Sequence, residues 1–307
     1  MKLAPGAGPA LAPDSANDMT EDDHLPPEGE RRRVLSYMLD AGPFEPRSVV
    51  VAPEFGASSR AGRHRPANED HFLILRMARS QEVIASSLQQ ADLPGRFDEF
   101  GYFMAVADGS GSFGGGALAS RVALSTLAHM AIRFGKWNVR IDKDTVESVV
   151  RQADLYHRRT AQAIEQFRMA APFLSNMRST LTAVFTAGDT LFFTHVGDSR
   201  AYLLRHGSLT QLTRDNTKLQ AVDGVPVFDI ERFPLEDNDL ILLCTNGLTR
   251  TLDDDAIADL LSHPRGVEDQ CRQLVTLAAA ADADDDITAV AARYRVPPPP
   301  EETDKMT

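Results

Sequence analysis

Cysteine is scarce in this sequence, which contains only Cys244 and Cys271 among its 307 residues. Two cysteines cannot build a disulfide framework, and their spacing matches no zinc motif. Cys244 lies in an apolar strand pattern, so we expect its thiol to be buried and unreactive. The chemistry of this protein is therefore expected to depend on other side chains.

Long apolar runs and an excess of positive charge are also absent. No window approaches the ~20 apolar residues of a membrane-spanning helix, and the N-terminus lacks the charged-then-apolar pattern of a secretory signal. The chain has 44 acidic and 32 basic residues, a net charge of -12. This charge argues against nucleic-acid binding and is compatible with a divalent-metal site, although a solvated acidic surface is its commoner cause. We expect a cytoplasmic protein without a membrane or nucleic-acid partner.

The composition of the chain predicts one folded domain between two disordered ends. Residues 1–46 begin with a stretch rich in Pro, Ala, Gly and acidic residues that has no apolar period, which is typical of disorder. Within them, residues 31–40 fit either one short helix or a solvated basic linker. The domain is predicted to span residues 47–296, and residues 297–307 form a polar, proline-led tail.

Apolar spacing predicts an α+β fold whose helices and strands are segregated along the chain. Strands are predicted at Ser48–Gly56, Asp70–Arg76, Tyr102–Ala107, Thr180–Thr186, Thr190–Val196, Ala201–Leu204, Gln211–Thr213, Leu240–Cys244 and Asp286–Tyr294. Helices are predicted within Ala78–Phe100 and at Ala117–Phe134, Asp144–Phe167, Asp253–Ser262 and Val267–Ala280. Pro53 places the first strand at a sheet edge or a bend. Antiparallel sheets with helices on their outer faces follow from this order.

The stretch from Gly101 to Ser120 combines a buried strand, a carboxylate and a glycine cluster. Its apolar run ends on Asp108, and five glycines follow within eight residues. A carboxylate at the end of a buried strand is held stiffly, and glycines let the backbone approach a ligand closely. The alternative interpretation is that Asp108 and Gly109 form only a turn, because Asp-Gly is a strong turn signal.

Acidic or amide side chains occur at the ends of four predicted strands. They are Glu69 with Asp70, Asp108 with Gly109, Asn246 with Gly247, and Asp285 with Asp286. Strand ends that meet at one sheet edge would bring these oxygens together, which is tolerable only with cations. Oxygen ligands select Mg²⁺ or Mn²⁺ over zinc, and two such ions can activate a water for attack on phosphorus. Arg65 is placed to bind phosphate, whereas each acidic residue singly also fits a solvated turn.

Five motifs in sequence order resemble the metal-dependent serine/threonine phosphatase family, type 2C (PPM), in its compact bacterial form. The resemblance covers roughly residues 49–294. The motifs are Arg-x-x-x-Glu-Asp at residues 65–70, Val-x-Asp-Gly-x-Gly at 106–111, Val-Gly-Asp-Ser-Arg at 196–200 with its Leu-x-x-Leu-Thr continuation at 209–213, Asn-Gly-Leu at 246–248 and Asp-Asp-Ile-Thr at 285–288.

The resemblance implies a fold, an activity and a ligand set. The family fold is an α-β-β-α sandwich of two antiparallel sheets flanked by helix pairs. The family hydrolyses phosphoserine and phosphothreonine in proteins through a hydroxide that bridges two Mg²⁺ or Mn²⁺ ions, opposing a serine/threonine kinase in bacterial signalling. Carried over, Asp108 bridges both ions, and Glu69 and the Gly109 carbonyl serve one of them. Asn246 and Asp285 serve the other, Asp70 orients metal-bound water, and Arg65 grips the phosphate.

Several positions depart from the family pattern and favour a second hypothesis. The family aspartate at position 246 is Asn, and the asparagine of Asp-Asn is Asp286. Ser112, Arg178 and Ser175 stand where two glycines and a third-metal aspartate are expected, and Ser110 stands where the eukaryotic branch has a histidine. The alternative is a catalytically weak or inactive domain that binds a phosphoprotein or a regulatory partner through the same surface. Activity is expected to depend on position 246.

Overall fold

The computed structural model describes residues 51–89, 93, 96–134, 143–216, 221–222, 225–226 and 229–296. Residue contacts divide the chain into a unit of residues 46–87 and 93–307 and a second unit of residues 1–45 and 88–92. All strands and helices given below belong to the first unit. Of the second unit, the structure describes only residues 88 and 89.

Two antiparallel sheets form the centre of this unit. In chain order the strands are β1 (Ala52–Arg60), β2 (Asp70–Gln81), β3 (Phe97–Ser110), β4 (Arg178–Ser179), β5 (Leu181–Ala187), β6 (Thr190–Val196), β7 (Arg200–Arg205), β8 (Ser208–Gln211), β9 (Ala221–Val222), β10 (Val225–Pro226), β11 (Asp229–Pro234), β12 (Leu240–Cys244) and β13 (Ile287–Arg295). One sheet has the order β1-β13-β12-β7-β8, and the other has the order β11-β6-β5-β3-β2, with β4 paired to β3. A separate ribbon pairs β9 with β10.

Five α-helices and one short 3-10 helix, Pro172–Leu174, complete the described elements. The α-helices are α1 (Gly115–Phe134), α2 (Lys143–Ala170), α3 (Asn246–Thr249), α4 (Asp254–Ser262) and α5 (Val267–Ala280). The side chain of Asp253 caps α4 by accepting a hydrogen bond from the Ala256 amide at 2.9 Å, which satisfies one of the free N–H groups at a helix start. Helices α1 and α2 contact each other, α1 lies against β2 and β3, and α5 lies against β1 and β13.

Alternation of side chains along the strands builds three apolar layers. In β12, Ile241 and Leu243 point between the two sheets, whereas Leu240, Leu242 and Cys244 pack against α4 and α5. In β3, the even-numbered apolar residues likewise point between the sheets, and the odd-numbered ones pack under α1. The layers are therefore helix, sheet, sheet, helix, which confirms the predicted α-β-β-α arrangement. Both cysteines are buried, and burial raises each thiol pKa to about 12.

The helix predicted within Ala78–Phe100 is wrong. Strand β2 continues to Gln81, and its residues pair one by one with β3 from Gln81 opposite Phe97 to Asp70 opposite Asp108. A long two-stranded ladder therefore replaces the helix, because cross-strand pairing outweighs local propensity. The first strand is also displaced, since β1 runs from Ala52 to Arg60 and includes part of a predicted loop. Its predicted edge position is confirmed.

Three predictions fall on residues outside the described ranges. They are the disordered extension at 1–46, the short helix at 31–40 and the tail at 297–307, and only residues 51–89 and later ranges are described. In the part of the chain that is described, none of the helices has the length and apolar character needed to cross a membrane.

Candidate metal centre

The ends of strands from both sheets meet at one edge, where the predicted site residues lie. Asp70 starts β2 directly opposite Asp108 near the end of β3. From the other sheet, Asn246 follows β12 and Asp285 precedes β13. The guanidinium of Arg65 contacts Glu69 and Asp285, which links the loop before β2 to the loop before β13. The structure thus brings together the side chains that the sequence predicted to converge.

Asp70 is buried between the two sheets, with 5% of its surface exposed. Its Oδ2 accepts hydrogen bonds from Thr245 Oγ1 at 2.7 Å and Thr288 Oγ1 at 2.8 Å. Its Oδ1 is buried without a hydrogen-bond partner among the described residues. Burial raises the pKa of Asp70 to about 7, although both threonine hydrogen bonds oppose the shift. One oxygen is therefore held rigidly while the other remains available for a ligand or water.

Asp108 lies among several other acidic side chains at this edge. Its backbone is fixed by Thr180, whose hydroxyl accepts from the Asp108 amide at 2.9 Å and whose amide donates to the Asp108 carbonyl at 2.9 Å. Burial, together with the neighbouring carboxylates of Asp70, Asp285 and Asp198, raises the pKa of Asp108 to about 8. Such crowding of carboxylates favours cation binding at this position.

Glycines let the start of α1 approach the acidic edge. A Cβ at Gly109 would lie 2.0 Å from the Gly116 carbonyl oxygen, and a Cβ at Gly116 would lie 2.6 Å from the Glu69 carboxyl. The Glu69 Oε1 accepts a hydrogen bond from the Ala117 amide at 3.3 Å. A carboxylate at a helix N-terminus is stabilised by the helix dipole. The glycine cluster therefore positions Glu69, and larger residues at 109 or 116 would displace it.

Asp286 fixes the loop that carries Arg65. Its two carboxylate oxygens accept hydrogen bonds from the backbone amides of Gly62 at 2.9 Å and Glu69 at 2.7 Å. The Arg65 side chain, held above this loop, donates to Glu69 Oε2 at 3.3 Å and to Asp285 Oδ1. A guanidinium has five N–H donors, so these two contacts leave donors that can reach a phosphate.

Two residues of the site were missed from the sequence. Asp198, from the turn between β6 and β7, accepts a hydrogen bond from Asn246 Nδ2 at 3.0 Å. Arg250, directly after α3, contacts Asp198 at 3.4 Å and Asp285 at 3.0 Å. The Val-Gly-Asp-Ser-Arg motif contained a signal for Asp198, but no sequence pattern pointed to Arg250. The supporting hydroxyls of Thr245 and Thr288 were missed as well.

The departures Ser112 and Arg178 lie on the rim of this edge. The Ser112 amide donates to Asn176 Oδ1 at 3.1 Å, and Asn176 Nδ2 donates to the Ser112 hydroxyl at 2.9 Å. Arg178 is exposed and pairs with Ser110 in the short ladder between β3 and β4. The large side chain at 178 therefore projects to solvent, and the strand pairing tolerates it.

The donor types at this edge fit a hard divalent cation. Besides Asp70 Oδ1, Asn246 Oδ1 is buried without a hydrogen-bond partner in the described part of the chain, and carboxylate and amide oxygens are the ligands that Mg²⁺ and Mn²⁺ prefer. Among the described residues, however, no three carboxylate, imidazole or thiolate side chains are already placed to hold one ion. Glu69 and Asp285 are instead paired with arginine, Glu69 with Arg65 and Asp285 with both Arg65 and Arg250.

Comparison with known proteins agrees with this arrangement. The family model "Protein phosphatase 2C" matches residues 92–289, which is more than half of the chain. The chain is 30% identical over 214 residues to the serine/threonine protein phosphatase PstP of Mycobacterium tuberculosis, covering 62% of this chain and 40% of that protein. It is 26% identical over 215 residues to the serine/threonine phosphatase stp of Listeria monocytogenes, covering 60% and 81% respectively.

A solved structure shows the same fold together with metal. The catalytic domain of PstP in complex with two manganese ions superposes with a TM-score of 0.61 at 26% identity, covering 80% of this chain and 99% of that one. The chain spans about two fifths of the full length of the mycobacterial relative. The match of the family model, the layered fold and the convergent carboxylates lead to one conclusion: this chain belongs to the protein phosphatase 2C family.

Proposed function

We propose that this chain is a Mg²⁺- or Mn²⁺-dependent phosphoprotein phosphatase that hydrolyses phosphoserine and phosphothreonine. The observation that carries the proposal is the pair Asp70 and Asp108, which face each other across β2 and β3 where the ends of both sheets meet. Asp70 is buried and Asp108 is partly buried, and their carboxyl groups have raised pKa values of about 7 and about 8. Buried, crowded carboxylates are expected where cations are to be bound.

The proposed ligands divide into two sets around Asp108. Glu69 and the Gly109 carbonyl would hold one ion with Asp108, and Asn246 and Asp285 would hold the other. When bound, the ions lower the pKa of a water and offset the charge of the phosphate. Support for two ions comes from the manganese complex of the PstP catalytic domain.

Asp70 and Arg65 are proposed to act on the water and the phosphate. The Thr245 and Thr288 hydroxyls fix Asp70 Oδ2, which leaves Oδ1 to accept a hydrogen bond from the attacking water and orient it. Arg65 is anchored through a loop that Asp286 holds. Its planar fork of donors matches phosphate oxygens and offsets their charge during in-line displacement.

The proposal extends to partners, location and domain organisation. The substrate is a phosphorylated protein, the opposing enzyme is a serine/threonine kinase, and both are met in the cytoplasm. Support comes from the relatives, which are named serine/threonine phosphatases. Residues 47–296 carry the activity as one domain, and the flanking segments at 1–46 and 297–307 are not needed for hydrolysis of a small substrate.

A second candidate function is a weakly active or inactive domain that binds a phosphoprotein or a regulatory partner. The observation that favours it is the hydrogen bond from Asn246 Nδ2 to Asp198 at 3.0 Å. The neutral amide of Asn246 stands at a proposed ligand position where the family has a negatively charged aspartate. Such a site would keep its affinity for phosphate through Arg65 while losing turnover.

Phosphate release from a phosphothreonine peptide distinguishes the two candidates. We expect hydrolysis by the full chain with Mn²⁺, none with a chelator, and less than a few per cent of the parent rate for Asp108→Asn. The matched control is Asp154→Asn, because Asp154 forms an exposed ion pair with Arg158 on α2 away from the site. Saturable peptide binding without any Mn²⁺-dependent turnover would favour the binding domain instead.

A further inference from the structure

Arg250 joins two loops of the candidate metal centre through one guanidinium. Its Nη1 lies 3.0 Å from Asp285 Oδ2 and its Nη2 lies 3.4 Å from Asp198 Oδ2. The backbone amide of Arg250 donates to the Asn246 carbonyl at 2.9 Å, which ends α3 and fixes the origin of the side chain. The positive charge is thus placed against a proposed metal ligand.

Asn246 forms the other half of the same arrangement. Its Nδ2 donates to the Asp198 oxygen that Arg250 also contacts, at 3.0 Å, and its Oδ1 is buried without a partner among the described residues. The amide therefore presents its oxygen toward the ligand position and its nitrogen toward Asp198. A cation at this position would gain the Asn246 oxygen but would meet an Asp285 carboxylate already paired with arginine.

We infer that Arg250 competes with the second divalent ion for Asp285, so that this ion binds fully only after the arginine has moved into solvent. The inference rests on the proposed function, since it assigns Asp285 to that ion. A guanidinium cannot ligate a cation and repels it at short range. Because the neutral Asn246 adds no negative charge, Asp285 pairs either with the Arg250 guanidinium or with the second divalent ion.

The exposure of Arg250 makes the exchange feasible. Its side chain is 62% exposed, so the guanidinium can turn toward water without opening the apolar core. Asp198 would keep its hydrogen bond to Asn246 after the arginine leaves. Arg65 also contacts Asp285, but Arg65 is proposed to bind phosphate, so it would leave Asp285 when substrate binds. Arg250 has no proposed role with substrate, so it would leave Asp285 only when metal binds. Occupancy of the second position, and with it activity, would therefore need a higher divalent-ion concentration than occupancy of the first.

Calorimetric titration of the metal-free full chain with Mn²⁺ tests the competition. We expect the parent protein to show one tighter and one weaker binding step. Arg250→Gln, which keeps most of the side-chain length without the charge, should tighten the weaker step by at least about tenfold and leave the tighter step unchanged. Metal-free Arg250→Gln should also melt at a lower temperature than the parent, and saturating Mn²⁺ should remove that difference.

The matched control is Arg272→Gln on α5. Arg272 is 61% exposed and also contacts two carboxylates, Glu268 and Asp269, neither of which lies in the site. The Mn²⁺ affinities of Arg272→Gln should therefore equal those of the parent. Identical affinities for Arg250→Gln and the parent, with Mn²⁺-dependent hydrolysis intact, would overturn the competition and leave the phosphatase proposal standing. Absence of Mn²⁺ binding in every variant would overturn both.

Discussion

Thr245 and Asp70 tie the two sheets together at the candidate metal centre, because the Thr245 hydroxyl donates to Asp70 Oδ2 at 2.7 Å across 175 positions of sequence. The same hydroxyl accepts a hydrogen bond from the Thr288 amide at 3.0 Å. One buried oxygen therefore connects the end of β12, the start of β13 and the start of β2. This connection holds Asp70 in place without metal.

Thr245→Val should lower the free energy of unfolding by about 1–3 kcal/mol, because the Thr288 amide loses its acceptor and Asp70 loses a donor inside the protein. Thr245→Ser keeps the hydroxyl and is the matched control, with a smaller loss. Urea denaturation of both variants without metal checks the prediction. An unchanged stability of Thr245→Val would show that the hydroxyl and its hydrogen bonds contribute nothing to the free energy of unfolding.

Arg65→Ala should raise KM for phosphate esters by about tenfold or more without weakening Mn²⁺ binding, since a guanidinium holds phosphate oxygens and is no metal ligand. Arg63→Ala is the control, because Arg63 lies on the same loop and pairs with Asp282 outside the site. Steady-state kinetics and calorimetry are measured in parallel. Normal KM combined with lost Mn²⁺ affinity would reverse the assignment.

Asn246→Asp should tighten Mn²⁺ binding and raise hydrolysis at limiting metal by at least about tenfold, equivalent to ~1.4 kcal/mol. The new carboxylate adds charge for the ion but also replaces the donor to Asp198, so the metal-free variant should melt at a lower temperature. Asn238→Asp, before the opposite end of β12, adds the same charge away from the site. It should change neither the Mn²⁺ affinity nor the rate of hydrolysis. Equal affinities for Asn246→Asp and the parent would remove position 246 from the ligand set.

His157 should make the protein sensitive to mild acid. Burial lowers its pKa to about 4, with His195 adding to the shift and Asp154 opposing it. As pH falls below about 6.5, the unfolded chain binds a proton that the folded protein refuses, so stability falls toward pH 4. Replacing His157 with a non-titrating residue should therefore reduce the loss of stability between pH 7.5 and pH 5 by about 2 kcal/mol.

The variant that checks this prediction is His157→Gln, whose amide nitrogen can replace His157 Nε2 near Thr194 Oγ1, at 2.6 Å in the parent. Urea denaturation at both pH values gives the difference directly. His129→Gln on α1 is the control, because His129 is exposed and its ring nitrogen lies 2.7 Å from the Ser125 carbonyl of the same helix. The same acid sensitivity in His157→Gln and the parent would show that other groups cause it.

Strong local periodicity was sufficient to predict several elements. Leu240–Cys244 and Val267–Ala280 have the same bounds in the sequence prediction and in the structure, because an unbroken apolar run and a clear helical stripe each admit one solution. The sequence also predicted that acidic residues at strand ends would share one edge. That inference needed only the antiparallel order of the strands, and the facing pair Asp70 and Asp108 agrees with it.

Other features depended on contacts between distant residues. The segment from Ala78 to Phe100 was predicted to contain a helix, and only pairing with β3 extends the predicted strand Asp70–Arg76 to Gln81. Asp198 and Arg250 are 52 residues apart in sequence, and Arg250 had no motif to mark it. The sequence by itself determined the layers and the acidic edge, since these follow from local patterns of polarity. The tertiary structure decided that Arg65 and Arg250 contact Asp285, because the direction of a side chain in a loop depends on how distant strands pair.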